Sequence, residues 1–402
     1  MDDARYLLIL NAGSSSLKFG VFDWADGLRS RVRGALRNID GSGSSRSTLS
    51  TGDTSEVIDS IPSVADAVPI LLERLASGVG GLRLGTENVA ATGHRIVHGG
   101  EYFSAPLRID APVFDRLLSL NHLAPLHNPH ALAVIEAVAG RFPDAPAVAA
   151  FDTAFFHDLP EAVRTYAIPS GWAGRYGIRR YGFHGIAHQY MSLQLRSQWR
   201  PAQAPSRVVS LHLGQGCSVA ALRDGRPVET SMGFTPLEGL IMGTRPGDID
   251  AGVILHLAQQ GHDWHALENV LNRRSGLLGL SGVSDDVRKL LELEAEQHAG
   301  AELALAAFCH RINKYLGAYA AVLGGIDSIL FGGGIGENSP VIRARVCGAL
   351  SWLGLELDTK ANAHCIGNAC RISTDTSAID VRVIPVDEEP IIAAAAWTVL
   401  RG

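Results

Sequence analysis

The chain has 402 residues, with 35 Lys and Arg against 41 Asp and Glu and a formal net charge of −6. That length exceeds what one hydrophobic core usually holds, so two domains are expected of a chain whose composition is that of a globular protein. The acidic balance and the lack of a basic run exclude tracking of a nucleic-acid backbone, so any anion must be met by cations gathered locally.

Taken in order, Met1 to Arg5 is acidic, and the apolar run after it is short and interrupted by Asn11 and Lys18. Neither a signal peptide nor a membrane span is expected. Leu7 to Asp23 reads as strand, tight polar turn through Gly13-Ser14-Ser15-Ser16, and second strand. Backbone N–H groups of such a turn can face phosphate oxygens, and Lys18 adds a positive charge. An ordinary Ser-rich hairpin is the competing reading. The spacing is not that of a Walker A loop, which runs into a helix. Asp40 to Thr54 reads as a loop, either a long hairpin tip or a surface excursion.

Val64 to Leu75 has helical periodicity, with Val68, Leu71, Leu72 and Leu75 on one face and Pro69 marking strain or a late start. Asn128-Pro129 precedes a helix over His130 to Val138. Val208 to Gly225 repeats the plan of strand, Gly/Ser turn and strand, with His212, Leu213, Gly214, Gln215 and Gly216 at its turn. Leu303 to Leu323 is a long helix with Leu305, Phe308, Ile312, Leu316 and Tyr319 on its stripe, ending at Gly324-Gly325. A third glycine cluster, Gly332 to Asn338, follows a short apolar run and enters a helical stretch. Five cysteines, Cys217, Cys309, Cys347, Cys365 and Cys370, lack metal-type spacing and read as reduced cytoplasmic thiols.

Strands alternating with helices argue for an α/β chain, and the strand-to-strand hairpins require mixed sheets. Duplication of one phosphate hairpin predicts two related domains facing a nucleotide between them.

The chain resembles the acetokinase family, within the superfamily of acetate and sugar kinases, heat-shock ATPases and actin. The resemblance covers nearly the whole length and rests on Asn11 to Lys18, Gly93 to Gly100, Phe151 to Phe155, Tyr181 to Gly185, Gly243-Thr244-Arg245 and Glu388-Glu389, in that order. It implies two ribonuclease-H-like domains, residues 1–152 with 389–402 and residues 153–388, with a nucleotide cleft between them. It further implies a cytoplasmic homodimer joined through the second domain. The implied reaction is reversible in-line transfer of the γ-phosphoryl group of ATP to acetate, giving acetyl phosphate and ADP.

A lone Arg in an apolar context is commonly a structural ion pair, but Arg95 and Arg245 both lie in glycine-rich surroundings that suit carboxylate and phosphoryl recognition. The resemblance assigns both to the acetyl-phosphate site, sets His184 on the migrating phosphoryl group, and puts His127 near the substrate and His212 near the nucleotide phosphates. Val97, Leu126, Phe183 and Pro236 match the methyl pocket. Lys18 and the second hairpin, Asp286-Val287-Arg288, and Gly334, Ile335, Gly336, Glu337 and Asn338 match the ATP-contacting positions. Asn11 and Glu388 are implied to hold Mg²⁺, with Mn²⁺ as an alternative, partly through water.

Acetate is already an anion at neutral pH, so Asp152 suits an electrostatic organiser better than a general base. Two positions depart from the family's pattern: Gln215 where a shorter Asn is usual, and Asp387 where Asn is usual. Gln215 therefore raises a second donor, pyrophosphate, beside ATP. Propionate and butyrate kinases are the nearest rivals on the acid side. An actin-like ATPase switch is the rival outside catalysis, and it has no use for the two arginines or the apolar pocket.

Overall fold

The computed structural model describes residues 5–13, 15–24, 26–39, 46–52, 54–78, 81–198 and 204–401. Met1 to Ala4, Ser14 of the first turn, and residues 40–45 and 53 of the expected loop lie outside them. Among the described residues the chain is mixed α/β with two sheets. It divides into two compact units, Met1–Phe155 with Asp387–Gly402, and Phe156–Val386.

The first unit carries β1 (Tyr6–Ala12), β2 (Ser16–Asp23), β3 (Ser30–Arg37), β4 (Ser47–Thr51), β5 (Thr54–Ile58), β6 (Val89–Ile96), β7 (Leu107–Ile109) and β8 (Ala147–Phe151). Their order in the sheet is β5-β4-β3-β2-β1-β6-β8-β7. β1 pairs antiparallel with β2 and parallel with β6, and β6 pairs parallel with β8. β1 reads as a nearly continuous apolar run because both faces are covered. Leu8 and Leu10 pack with Val68, Leu71, Val134 and Val138 of the helices Val64–Ser77 and Asn128–Arg141. The opposite face receives the helix Glu389–Arg401. Gly93 permits its approach, since a β-carbon there would lie 3.2 Å from Ile392 Cγ2.

Three local expectations change. Ser47–Thr51, expected within a loop, is a strand paired with β3 and β5. Its small polar residues offer only Leu49 as an apolar signal, and Ser47 and Leu49 point inward. The helix around Pro69 does not start late: Ser63 caps it at Val64, and Pro69 lies on its exposed side. The next helix begins at Asn128 and runs on to Arg141, three residues past the expected end.

The second unit carries β9 (Arg207–Leu213), β10 (Cys217–Arg223), β11 (Arg226–Thr230), β12 (Ser328–Gly332), β13 (Cys370–Arg371) and β14 (Asp380–Val383), in the order β11-β10-β9-β12-β14-β13. β9 and β10 form the second Gly/Ser hairpin, and β12 lies parallel to both β9 and β14. The helix Ala299–Leu323 buries the five stripe residues and ends at Gly324, whose φ of +74° suits glycine. β12 passes directly into the short helix Gly333–Asn338.

The cysteine expectation needs correction. Cys365 and Cys370 form a disulfide, the chain between them folding back to bring their Cα atoms 6.1 Å apart. Cys217, Cys309 and Cys347 are free and buried. No helix among the described residues is long and apolar enough to cross a membrane.

Candidate active site

In the first unit the sheet brings Asn11, Arg95 and Asp152 together, and the residue preceding the helix Glu389–Arg401 adds Glu388. Arg95, near the end of β6, donates from Nε to Asp152 Oδ1 at 3.1 Å and from Nη2 to Asp152 Oδ2 at 2.5 Å. A third bond runs from Nη1 to Asn11 Oδ1 at 3.2 Å, and Glu388 Oε2 lies 3.9 Å from Nε. Three of the five guanidinium N–H bonds are thus committed, leaving two to donate elsewhere. Burial works against the Arg95 charge, but Asp152 and Glu388 outweigh it and hold its pKa above the ordinary value.

Asn11 also donates from Nδ2 to Glu388 Oε2 at 2.6 Å. Lys18, paired with Asn11 across the first hairpin, has an exposed side chain. Glu389 is buried, and among the described residues its Oε1 has no hydrogen-bond partner. Burial raises its pKa, Lys18 opposes the rise, and Glu388 adds to it. Among the described residues no group of three or more His, Cys, Asp and Glu side chains could hold a metal. The amide oxygen of Asn11 and the carboxylates beside it nonetheless fit a hard cation that takes few protein oxygens and keeps its waters.

Val97 is buried directly after β6, and the next residues are pinned by a group that the sequence did not single out. Asn128, fully buried, accepts from His98 N at 3.1 Å and donates to His98 O at 3.0 Å. His127 stands at the N-cap of that same helix, and Leu126 is half-buried before it. The departing residue Asp387 pairs with Arg33.

In the second unit His184 caps the helix Gly185–Ser197 with φ +58°, a left-handed conformation that is uncommon outside glycine and tends to mark functional positions. Its ring lies 4.5 Å from that of His212 on β9. Arg245 is half-buried and donates from Nη1 to Pro236 O at 2.7 Å. Among the described residues it has no carboxylate partner, and burial lowers its pKa. A β-carbon at Gly216 would lie 2.9 Å from Arg245 Nη2 and 3.4 Å from His184 Nε2. Glycine therefore leaves clear the space on which both side chains converge. Phe183 and Leu213 are buried beside them in sequence.

A pocket of about 670 Å³ in this unit is lined by Gly214, Gln215, Asp286, Val287, Arg288, Gly334, Ile335 and Asn338. The sequence did not suggest Asp285, Leu291 or the run Ser339 to Val341, which complete the wall. Gln215 donates from Nε2 to Asp285 Oδ2, tying the hairpin turn to the opposite wall. Gly336 and Glu337 do not line the pocket. Their carbonyls accept from Arg343, a fully buried side chain that also donates to Asn362 and to Cys365 O. Arg343 thereby holds the short glycine helix from behind, a role with no signature in the local sequence.

The acetokinase family model matches residues 6–394. The chain belongs to the acetokinase family. An acetate kinase of Bacteroides thetaiotaomicron is 41% identical over 397 residues, with 98% of this chain and 99% of that protein covered. Among solved structures, Porphyromonas gingivalis acetate kinase matches this acetokinase with a TM-score of 0.87 at 36% identity, covering 99% of this chain and 100% of that one. A propionate kinase from Francisella tularensis matches with a TM-score of 0.88 at 35% identity, covering 98% and 99%. The two sheets of this acetokinase are those of the family fold.

Proposed function

We propose that this acetokinase transfers the γ-phosphoryl group of ATP to acetate, reversibly, by in-line displacement that forms acetyl phosphate and ADP. The observation that carries the reading is Arg245: a half-buried cation that among the described residues has no carboxylate partner, converging with His184 Nε2 beside Gly216. Such a group favours an anion whose charge grows or spreads during transfer.

The acceptor carboxylate needs no deprotonation, so catalysis rests on alignment and charge. Asp152, with both oxygens on Arg95, orients that guanidinium and leaves its remaining N–H groups for an acetate or phosphoryl oxygen. Val97, Leu126, His127, Phe183 and Pro236 receive the acetate end. The 670 Å³ pocket takes the nucleoside, and the hairpin residues Lys18, His212, Leu213, Gly214, Gln215 and Gly216 take its phosphates. Asn11 and Glu388 would hold Mg²⁺, with Mn²⁺ able to replace it, and the bound cation would neutralise polyphosphate charge. Family membership supports a homodimer acting in the cytoplasm.

A hydroxamate assay for acetyl phosphate, with acetate, ATP and Mg²⁺, tests this directly. Product should form with ATP and fail to form with pyrophosphate. The propionate kinase among the structural matches makes propionate the second acid to compare. A kcat/KM for propionate above that for acetate would overturn the named acceptor.

A further inference from the structure

We propose that a buried Ser210–His188–Ser218 chain is a positioning relay that fixes the proton of His184 on Nε2, the nitrogen facing Arg245 and Gly216. It rests on the assignment of His184 to the phosphoryl group.

His188 lies in the first turn of the helix Gly185–Ser197, four residues after its N-cap His184, and both rings reach the hydroxyl of Ser218. Ser210 and Ser218 come from β9 and β10, on the face against which that helix packs. His188, Ser210 and Ser218 are fully buried. Ser210 Oγ lies 2.9 Å from His188 Nδ1, Ser218 Oγ lies 2.8 Å from His188 Nε2, and the same Oγ lies 2.9 Å from His184 Nδ1. Three links therefore run unbroken from strand β9 to the proposed catalytic ring.

With the Ser218 hydrogen given to one of the two rings it bridges, two directions remain. Burial, reinforced by His212, pushes the His188 pKa well below its ordinary value, so the ring is neutral with one donor and one acceptor nitrogen. A serine hydroxyl carries one hydrogen. In the first direction Ser210 donates to His188 Nδ1, His188 Nε2–H donates to Ser218, and Ser218 donates to His184 Nδ1. Neutral His184 then carries its hydrogen on Nε2. In the second direction every link reverses, Ser210 turns its hydrogen to Met191 Sδ at 3.8 Å, and neutral His184 is bare at Nε2.

Both directions make the three Ser/His bonds, and the second adds only the weak O–H···S contact, since a thioether is a poor acceptor. The phosphoryl group decides between them: its oxygens only accept, so the first direction offers them a donor, whereas a bare Nε2 would repel them. The relay thus supplies a neutral donor beside the Arg245 cation.

The test is ¹⁵N-histidine NMR of the wild-type protein, with His184→Asn and His188→Asn used for assignment. Both rings should be Nε2–H tautomers, and Nδ1–H at either ring overturns the relay. Ser218→Ala should lower kcat about tenfold or more while the KM for ATP and acetate stay within about threefold. Ser218→Thr, which keeps the hydroxyl, should recover most of that loss. A kcat unchanged in folded Ser218→Ala also overturns the relay. His184→Ala with normal turnover would instead remove the underlying assignment, and the measured tautomers distinguish the two failures.

Discussion

Arg95 and Arg245 are both half-buried, both lie in glycine-rich segments, and their electrostatic settings are opposite. Arg95 meets Asp152 bidentately with Glu388 nearby, and its charge is held above its ordinary pKa. Among the described residues Arg245 has a single backbone carbonyl as partner, and burial lowers its pKa. The first is a compensated cation whose direction is fixed by acids. The second is uncompensated, so its desolvation cost is recovered only when an anion arrives. Sequence context alone makes the two look alike; their partners separate organisation from recognition.

The largest effect should come from breaking the compensated side. Arg95→Ala leaves Asp152 buried without its cation and should cost about 3–5 kcal/mol in urea unfolding, along with turnover. A loss under about 1 kcal/mol would mean that Asp152 is not held by Arg95. Arg245→Ala should instead lower kcat about 10²- to 10³-fold. Its unfolding free energy should stay within about 1 kcal/mol of the parent, relief of burial offsetting the lost carbonyl bond. Equal destabilisation by the two variants would erase the contrast.

His94 sharpens it, because it sits beside Arg95 on β6 and is held neutral by burial, its pKa lowered to about 3. Between the unfolded value near 6.5 and the folded one, the unfolded chain binds the extra proton. Stability should therefore be full above pH 6.5 and fall below it, by up to about 1.4 kcal/mol per pH unit from this residue. His94→Gln should flatten the fall of urea midpoints between pH 7 and 5, and an unchanged slope would show that another group dominates.

Smaller effects belong to the pockets. Val97→Ala should raise the propionate-to-acetate ratio of kcat/KM, by an amount near the lower end of the roughly 1–3 kcal/mol that a methylene is worth. Gln215→Asn, which shortens the reach to Asp285, should change the ATP KM by less than about tenfold. Preference for pyrophosphate over ATP would show that the longer side chain sets the donor.

The hairpins, the long helix after residue 298 and most of the pocket's walls are legible because each is written in consecutive residues: apolar runs, Gly/Ser turns and helical stripes. The Asp152 partner of Arg95 is not, since 57 residues separate them and only the parallel pairing of β6 with β8 aligns them. Ser210, Ser218 and Asn128 give no signal for the same reason, each acting on a residue from another element. β4 was hidden by its small polar residues, and the Cys365–Cys370 pair by an odd cysteine count. Glu389 stands at a helix start, where acids are commonly solvated, yet it is buried, which its local sequence does not show.

The helix Glu389–Arg401 has a consequence for how the protein is made. It covers a sheet whose other strands all precede residue 152, with the whole second unit emerging from the ribosome between them. A nascent chain therefore carries β1, β6 and β8 with one face bare until residues 389–401 are translated, while the second unit can complete its own core earlier. Glu388 and Glu389 join Asn11 and Arg95 in that later step. Phosphate-binding parts exist on the growing chain well before the acidic ones, and the charged cluster is finished only when the sheet is sealed.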